Sequence, residues 1–137
     1  MEDSLTEKWK NEAGEFHRED GPALITYNVN STPQSEHYYR NGLHHRVDGP
    51  AIIGYHGLGH GLVSYEYYKQ NGEHHREVGP ATIWYRKDGR VKFEEYWQHD
   101  KLHRSDGPAV IFYCKDGSIK EEHHWYYGEH LPGYRNK

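Results

Sequence analysis

The dipeptide Gly-Pro occurs at Gly21-Pro22, Gly49-Pro50, Gly79-Pro80 and Gly107-Pro108, spaced by 28, 30 and 28 residues. Ala follows each time, at Ala23, Ala51, Ala81 and Ala109, and a His-Arg pair precedes it, at His17-Arg18, His45-Arg46, His75-Arg76 and His103-Arg104. The shared phrase is H-R-x-(D/V)-G-P-A-x-I-x-Y. A self-similar period of this length marks a chain that stacks copies of one small unit, each burying its apolar face against its neighbours. The units fall near 14–41, 42–71, 72–99 and 100–128, inside one repeat domain over 1–137.

Within a unit the apolar pattern has period two, which is the period of a strand. Ala, Ile and Tyr share one face: Ile25 and Tyr27, Ile53 and Tyr55, Ile83 and Tyr85, Ile111 and Tyr113. That face is the expected core. Lys87-Asp88-Gly89 and Lys115-Asp116-Gly117 then signal a reversal, because Asp-Gly accepts positive φ. A second strand follows and repeats a glutamate at Glu36, Glu66, Glu94 and Glu122. Asn41-Gly42 and Asn71-Gly72 signal a second turn, with His99-Asp100 and Tyr127-Gly128 in the later copies. Pro can open a strand because the first residue need not donate to the ladder. The expected fold is all-β: tandem β-hairpins in an elongated antiparallel sheet of about eight strands. The second-strand equivalent is expected to be missing before Gly14, where 8–13 supply only a degenerate half.

Composition narrows the classes. The 137 residues suit one domain. Mean hydropathy is -1.17, yet aromatic residues are 15% of the chain, with 13 Tyr and 4 Trp, which a disordered segment would not carry. The formal charge of -4 offers no general surplus for nucleic acid. A single cysteine, Cys114, excludes an intramolecular disulfide. The first ten residues lack the apolar stretch of a signal peptide, and no run is long enough to span a membrane, so a cytoplasmic protein is expected.

The run Gly-x-x-His-Arg-x-Asp-Gly-Pro-Ala, then Ile-x-Tyr, a turn and a Glu-x-Tyr strand, resembles the MORN and MORN-variant repeat family. It does so over Gly42 to Tyr55, Gly72 to Tyr85 and Asp100 to Tyr113, and more weakly over Gly14 to Tyr27. Ordinary MORN units are shorter and carry a Tyr-x-Gly phrase that is not regular here. The resemblance implies hairpin repeats serving protein association and no catalytic residue.

No nucleophile elbow, P-loop or zinc signature is present, and no catalytic residue, metal ligand or cofactor is expected. The glycine-rich loop from Gly57 to Gly61 has no helix pattern after it to hold a phosphate. Adjacent histidines on a strand point to opposite faces, so pairs such as His44-His45 do not by themselves chelate. Arg18, Arg46, Arg76 and Arg104 form a recurrent ladder, read as tying each turn to its own Asp20, Asp48 or Asp106, or else as meeting a partner's anions. Trp84, Phe112, Tyr68 and Tyr96 are read as one aromatic face needing a cover, which makes a protein partner or a homodimer the expected occupant. The alternatives are a nucleotide or nucleic-acid binder using the Arg ladder, and a small-ligand protein or enzyme.

Overall fold

The computed structural model describes residues 5–57 and 61–132. Residues 58–60, the centre of the glycine-rich loop, lie outside that range. A short strand, β1 (Thr6–Lys8), precedes four copies of one arrangement. The first copy is β2 (Leu24–Tyr27) and β3 (Pro33–His37), followed by a small hairpin of β4 (Tyr39–Arg40) and β5 (Leu43–His44). The second is β6 (Ile52–Tyr55), β7 (Val63–Tyr67), β8 (Lys69–Gln70) and β9 (Glu73–His74). The third is β10 (Thr82–Tyr85), β11 (Val91–Glu95), β12 (Trp97–Gln98) and β13 (Lys101–Leu102). The fourth is β14 (Val110–Tyr113), β15 (Ile119–His123), β16 (Trp125–Tyr126) and β17 (Glu129–His130).

The long strands form a single antiparallel sheet in the order β1-β2-β3-β6-β7-β10-β11-β14-β15. It has nine strands rather than about eight, because β1 supplies the second-strand equivalent expected to be missing. Trp9 follows β1 where Tyr38 follows β3, and its N–H donates to the Ala23 carbonyl at 2.8 Å as that of Tyr38 does to Ala51 at 2.6 Å. The sheet is open, with β1 and β15 at its edges. Lys120, Glu121 and Glu122 put charge on the β15 edge, which discourages a further strand.

The short strands pair only within their own two-stranded hairpins. Each hairpin turns through two residues of positive φ: Asn41 and Gly42 at 48° and 83°, Asn71 and Gly72 at 48° and 84°, Tyr127 and Gly128 at 45° and 84°. This is the twist that two-residue loops require. At His99 and Asp100 the values are 45° and 64° without any glycine. Asp100 gains a partner there, its Oδ1 accepting the His74 N–H at 2.7 Å. Successive hairpins also bond to each other, with Gly72 N donating to His44 O at 2.8 Å and Gly128 N to Leu102 O at 2.8 Å.

Register places Ile and Glu alternately along one row of the sheet. Ile25 faces Glu7 and Glu36, Ile53 faces Glu36 and Glu66, Ile83 faces Glu66 and Glu94, and Ile111 faces Glu94 and Glu122. The four Gly-Pro alanines are fully buried. Their backbones bond to both neighbouring strands, as when Ala81 N donates to Glu95 O and Ala81 O accepts from Tyr68 N. Ile83 and Ile111 are buried beside them, whereas Ile53 is half-buried. Burial is not confined to the Ala-Ile-Tyr face. Ile52, Thr82 and Val110 on the opposite face are buried too, flanked by longer cross-strand partners such as His37 and Tyr67 around Ile52. Ile83→Ala should lower stability by about 2–4 kcal/mol. Urea melts check this, and a midpoint shift worth less than about 0.5 kcal/mol would contradict the packing.

Candidate functional site

Each Gly-Pro loop is organised around its arginine. The guanidinium carbons of Arg18, Arg46, Arg76 and Arg104 lie 3.9, 3.9, 3.8 and 4.0 Å from the ring centroids of Trp9, Tyr38, Tyr68 and Tyr96. Nη1 donates to the carbonyl of Pro22, Pro50, Pro80 or Pro108 at 3.0–3.1 Å. Nε donates to Asp20, Asp48 and Asp106 at 3.1–3.2 Å. On the other side of the guanidinium stands the loop glycine. A Cβ added at Gly49 would come within 2.9 Å of Arg46 Cζ, and at Gly21, Gly79 or Gly107 within 3.0 Å of its own arginine. The arginine thus lies between an aromatic ring and a glycine, where an added Cβ would press on the guanidinium. In the third unit Val78 stands at the Asp position, and Arg76 keeps the ring and the Pro80 carbonyl.

The histidine before each arginine reaches across its unit to the small-hairpin turn at the unit's end. Nδ1 of His17, His45, His75 and His103 accepts the N–H of Asn41, Asn71, His99 and Tyr127 at 3.0–3.1 Å. These are the first residues of the two-residue turns. Accepting there requires an unprotonated Nδ1, so each of these bonds needs a neutral ring. The glutamates link units: Tyr55, Tyr85 and Tyr113 donate to Glu36, Glu66 and Glu94 at 2.5, 2.6 and 2.7 Å, and Tyr27 donates to Glu7. Burial first, and then the bonded carboxylate, push the Tyr55, Tyr85 and Tyr113 phenols well above their ordinary range, so they remain donors.

The opposite face carries a file of rings. The register sets Tyr65, Trp84, Phe93 and Phe112 side by side on consecutive strands. Centroid separations are 5.0 Å for Tyr65–Trp84, 5.8 Å for Trp84–Phe93 and 5.5 Å for Phe93–Phe112, with interplanar angles of 28°, 14° and 33°. The first two pairs are stacked and the third is tilted. At its inner end the file closes over Gly54, where an added Cβ would lie 2.1 Å from the Tyr65 ring. Phe112, at the outer end, is exposed at 37%; the other three are half-buried.

The four residues read as one aromatic face are therefore divided between two. Trp84 and Phe112 belong to the file. Tyr68 and Tyr96 lie under Arg76 and Arg104 on the other side, because each follows its Glu by two residues and shares the Glu face. Tyr65 and Phe93, which complete the file, were not singled out in the sequence. The signal was there in Gly54, since a glycine inside a strand marks a close approach.

Between successive arginine loops lie three open clefts of ≈ 480, 590 and 620 Å³, the first flanked by Arg18 and Arg46, the second by Arg46 and Arg76, the third by Arg76 and Arg104. Among the described residues no group of three or more His, Cys, Asp or Glu side chains is arranged to hold a metal ion, and no helix is long and apolar enough to cross a membrane. No protein-family model matches the chain, and neither a curated protein nor a solved structure matches it.

Several imidazoles resist protonation. Burial holds His37, His45 and His74 below the usual histidine value, and burial with the neighbouring His37 brings His44 to about 4. The unfolded chain then binds more protons than the folded one between pH ~6.5 and those lowered values. The stability these residues contribute is complete above pH ~6.5 and is lost as the pH falls towards 4. Urea midpoints measured at intervals from pH 7.5 to 4.5 should fall steadily below 6.5; a flat profile would contradict neutral, buried histidines.

Proposed function

We propose that this protein is a non-catalytic association module, a divergent member of the MORN-variant type that its repeated phrase resembles. It binds a protein partner, a second copy of itself included, through the aromatic file. The observation that carries this reading is the file itself: four rings in register on one sheet face, ending in an exposed Phe112. Aromatic side chains bring large contact area at low conformational cost, and they dominate the centres of protein interfaces. The repeat favours such a use over a cleft-based one, since stacked units present extended surfaces rather than one enclosed cavity. The anion-binding alternative draws less support, because each arginine of the ladder already stacks on a ring and gives Nη1 to the carbonyl of its own Gly-Pro loop. A reducing, cytoplasmic setting suits the one free thiol, Cys114.

Phe112→Glu places a charge at the exposed end of the file, and Trp84→Ala opens its middle. Sedimentation over a range of concentrations, with capture of partners from host lysate, should show association weakened about tenfold or more in Phe112→Glu, with a thermal midpoint close to wild type. A wild-type chain that remains monomeric and captures nothing, together with a Trp84→Ala variant that unfolds, would make the file a core and end this reading.

A further inference from the structure

The first unit breaks the aromatic file with polar side chains that converge. Where the second unit has Tyr65, Tyr67 and His74, the first has Ser35, His37 and His44. His37 closes β3 and His44 closes β5. Nδ1 of His37 and Nε2 of His44 are 3.3 Å apart. We propose that these two nitrogens form a binding site for a divalent transition-metal ion of borderline softness, Zn²⁺ or Cu²⁺, which would clip the long strand to its small hairpin.

The separation is the first argument. Zn–N bonds are about 2.0–2.1 Å, so two imidazole nitrogens on a tetrahedral ion lie about 3.3–3.4 Å apart. The pair already stands at that spacing, which is also within reach of a hydrogen bond between the two rings. The second argument is orientation. His37 Nε2 lies 3.1 Å from Ser35 Oγ, which lies 2.6 Å from Thr26 Oγ1. Ser35 is 8% exposed. With Nε2–H donating to the buried Ser35 hydroxyl, the lone pair of His37 is on Nδ1, facing His44. Metal-bound histidines commonly have their second nitrogen fixed in this way. The His44 ring is held by Tyr39, stacked at 4.2 Å. Two protein donors leave the remaining positions to water.

The fourth unit serves as a comparison, because its matching pair does not repeat the nitrogen-to-nitrogen contact of His37 and His44. His123 and His130 occupy the matching positions, with ring centroids 5.8 Å apart against 5.5 Å for His37 and His44. There Glu121 replaces Ser35, and its carboxylate contacts His123 Nε2 at 3.1 Å.

Calorimetric titration of the full chain with ZnCl₂ at pH 7.5 should give one saturable site. His37→Gln and His44→Gln should abolish it, Ser35→Ala should weaken it about tenfold, and His123→Gln should leave it intact. Because the histidine variants can also fail to fold, the wild type is tested directly with one equivalent of Cu²⁺. Electron paramagnetic resonance should then count two imidazole nitrogens on the ion. No saturable Zn²⁺ binding, binding unchanged in both histidine variants, or fewer than two coordinated imidazoles would overturn the site.

Discussion

An arginine held between an aromatic ring and a glycine is the contact on which the rest of the structure depends. Every return from a small hairpin to the sheet must bring the chain back in register, and between the backbone bonds of His45 and Arg46 and that of Ala51 the loop belongs to no strand pair. The guanidinium supplies what is missing. It bonds to the Pro carbonyl four residues on, stacks on the ring that follows the preceding long strand, and fills the space left empty by the loop glycine. With that loop fixed, the alanine after Pro is delivered to a fully buried position where it bonds to both neighbouring strands. Planar shape matters more than charge here: an ammonium group could neither stack broadside on the ring nor reach the carbonyl and the carboxylate together.

The other recurrent residues tie each unit together and link it to its neighbours. Histidine accepts from the following turn, tyrosine donates to the preceding glutamate, and the small hairpins bond edge to edge. Cohesion is therefore a chain of nearest-neighbour links, as expected of a linear repeat. The ends show this by substitution. At the start, Trp9 takes the tyrosine's place above Arg18. At the end, Leu131 N donates to His124 O at 2.9 Å where the His-Arg element would begin.

Period, strand order and turn positions were legible because each is a local property written four times. The H-R-x-D-G-P-A phrase announced a loop with its own arginine, and Asn-Gly announced the hairpins. Tyr68 and Tyr96 look like companions of Trp84 in a list of aromatics, but the period-two pattern already set them with Glu66 and Glu94 on the other face. What was not legible was how each small hairpin lies against its long strand. The extra strand β1 was hidden for a different reason. Thr6–Lys8 has no apolar alternation and is recognised as a strand only by its pairing with β2. The Ser35, His37 and His44 group could not be read at all as a unit, because it exists only once a long strand and its hairpin are set against each other.

The two faces thus divide the work of the sheet. The arginine face holds the units in place, and the file of Tyr65, Trp84, Phe93 and Phe112 lies on the opposite face, where the partner is proposed to bind. That division stands or falls with the arginine. A double-mutant cycle on Arg46 and Gly49, read by urea unfolding, tests it most directly. Arg46→Lys and Gly49→Ala should each destabilise the protein by about 1–2 kcal/mol. Together they should cost less than their sum, by at least about 0.5 kcal/mol, because a Cβ at Gly49 has no guanidinium to meet once Arg46 is lysine. Additive effects, or two single variants as stable as the wild type, would contradict the account.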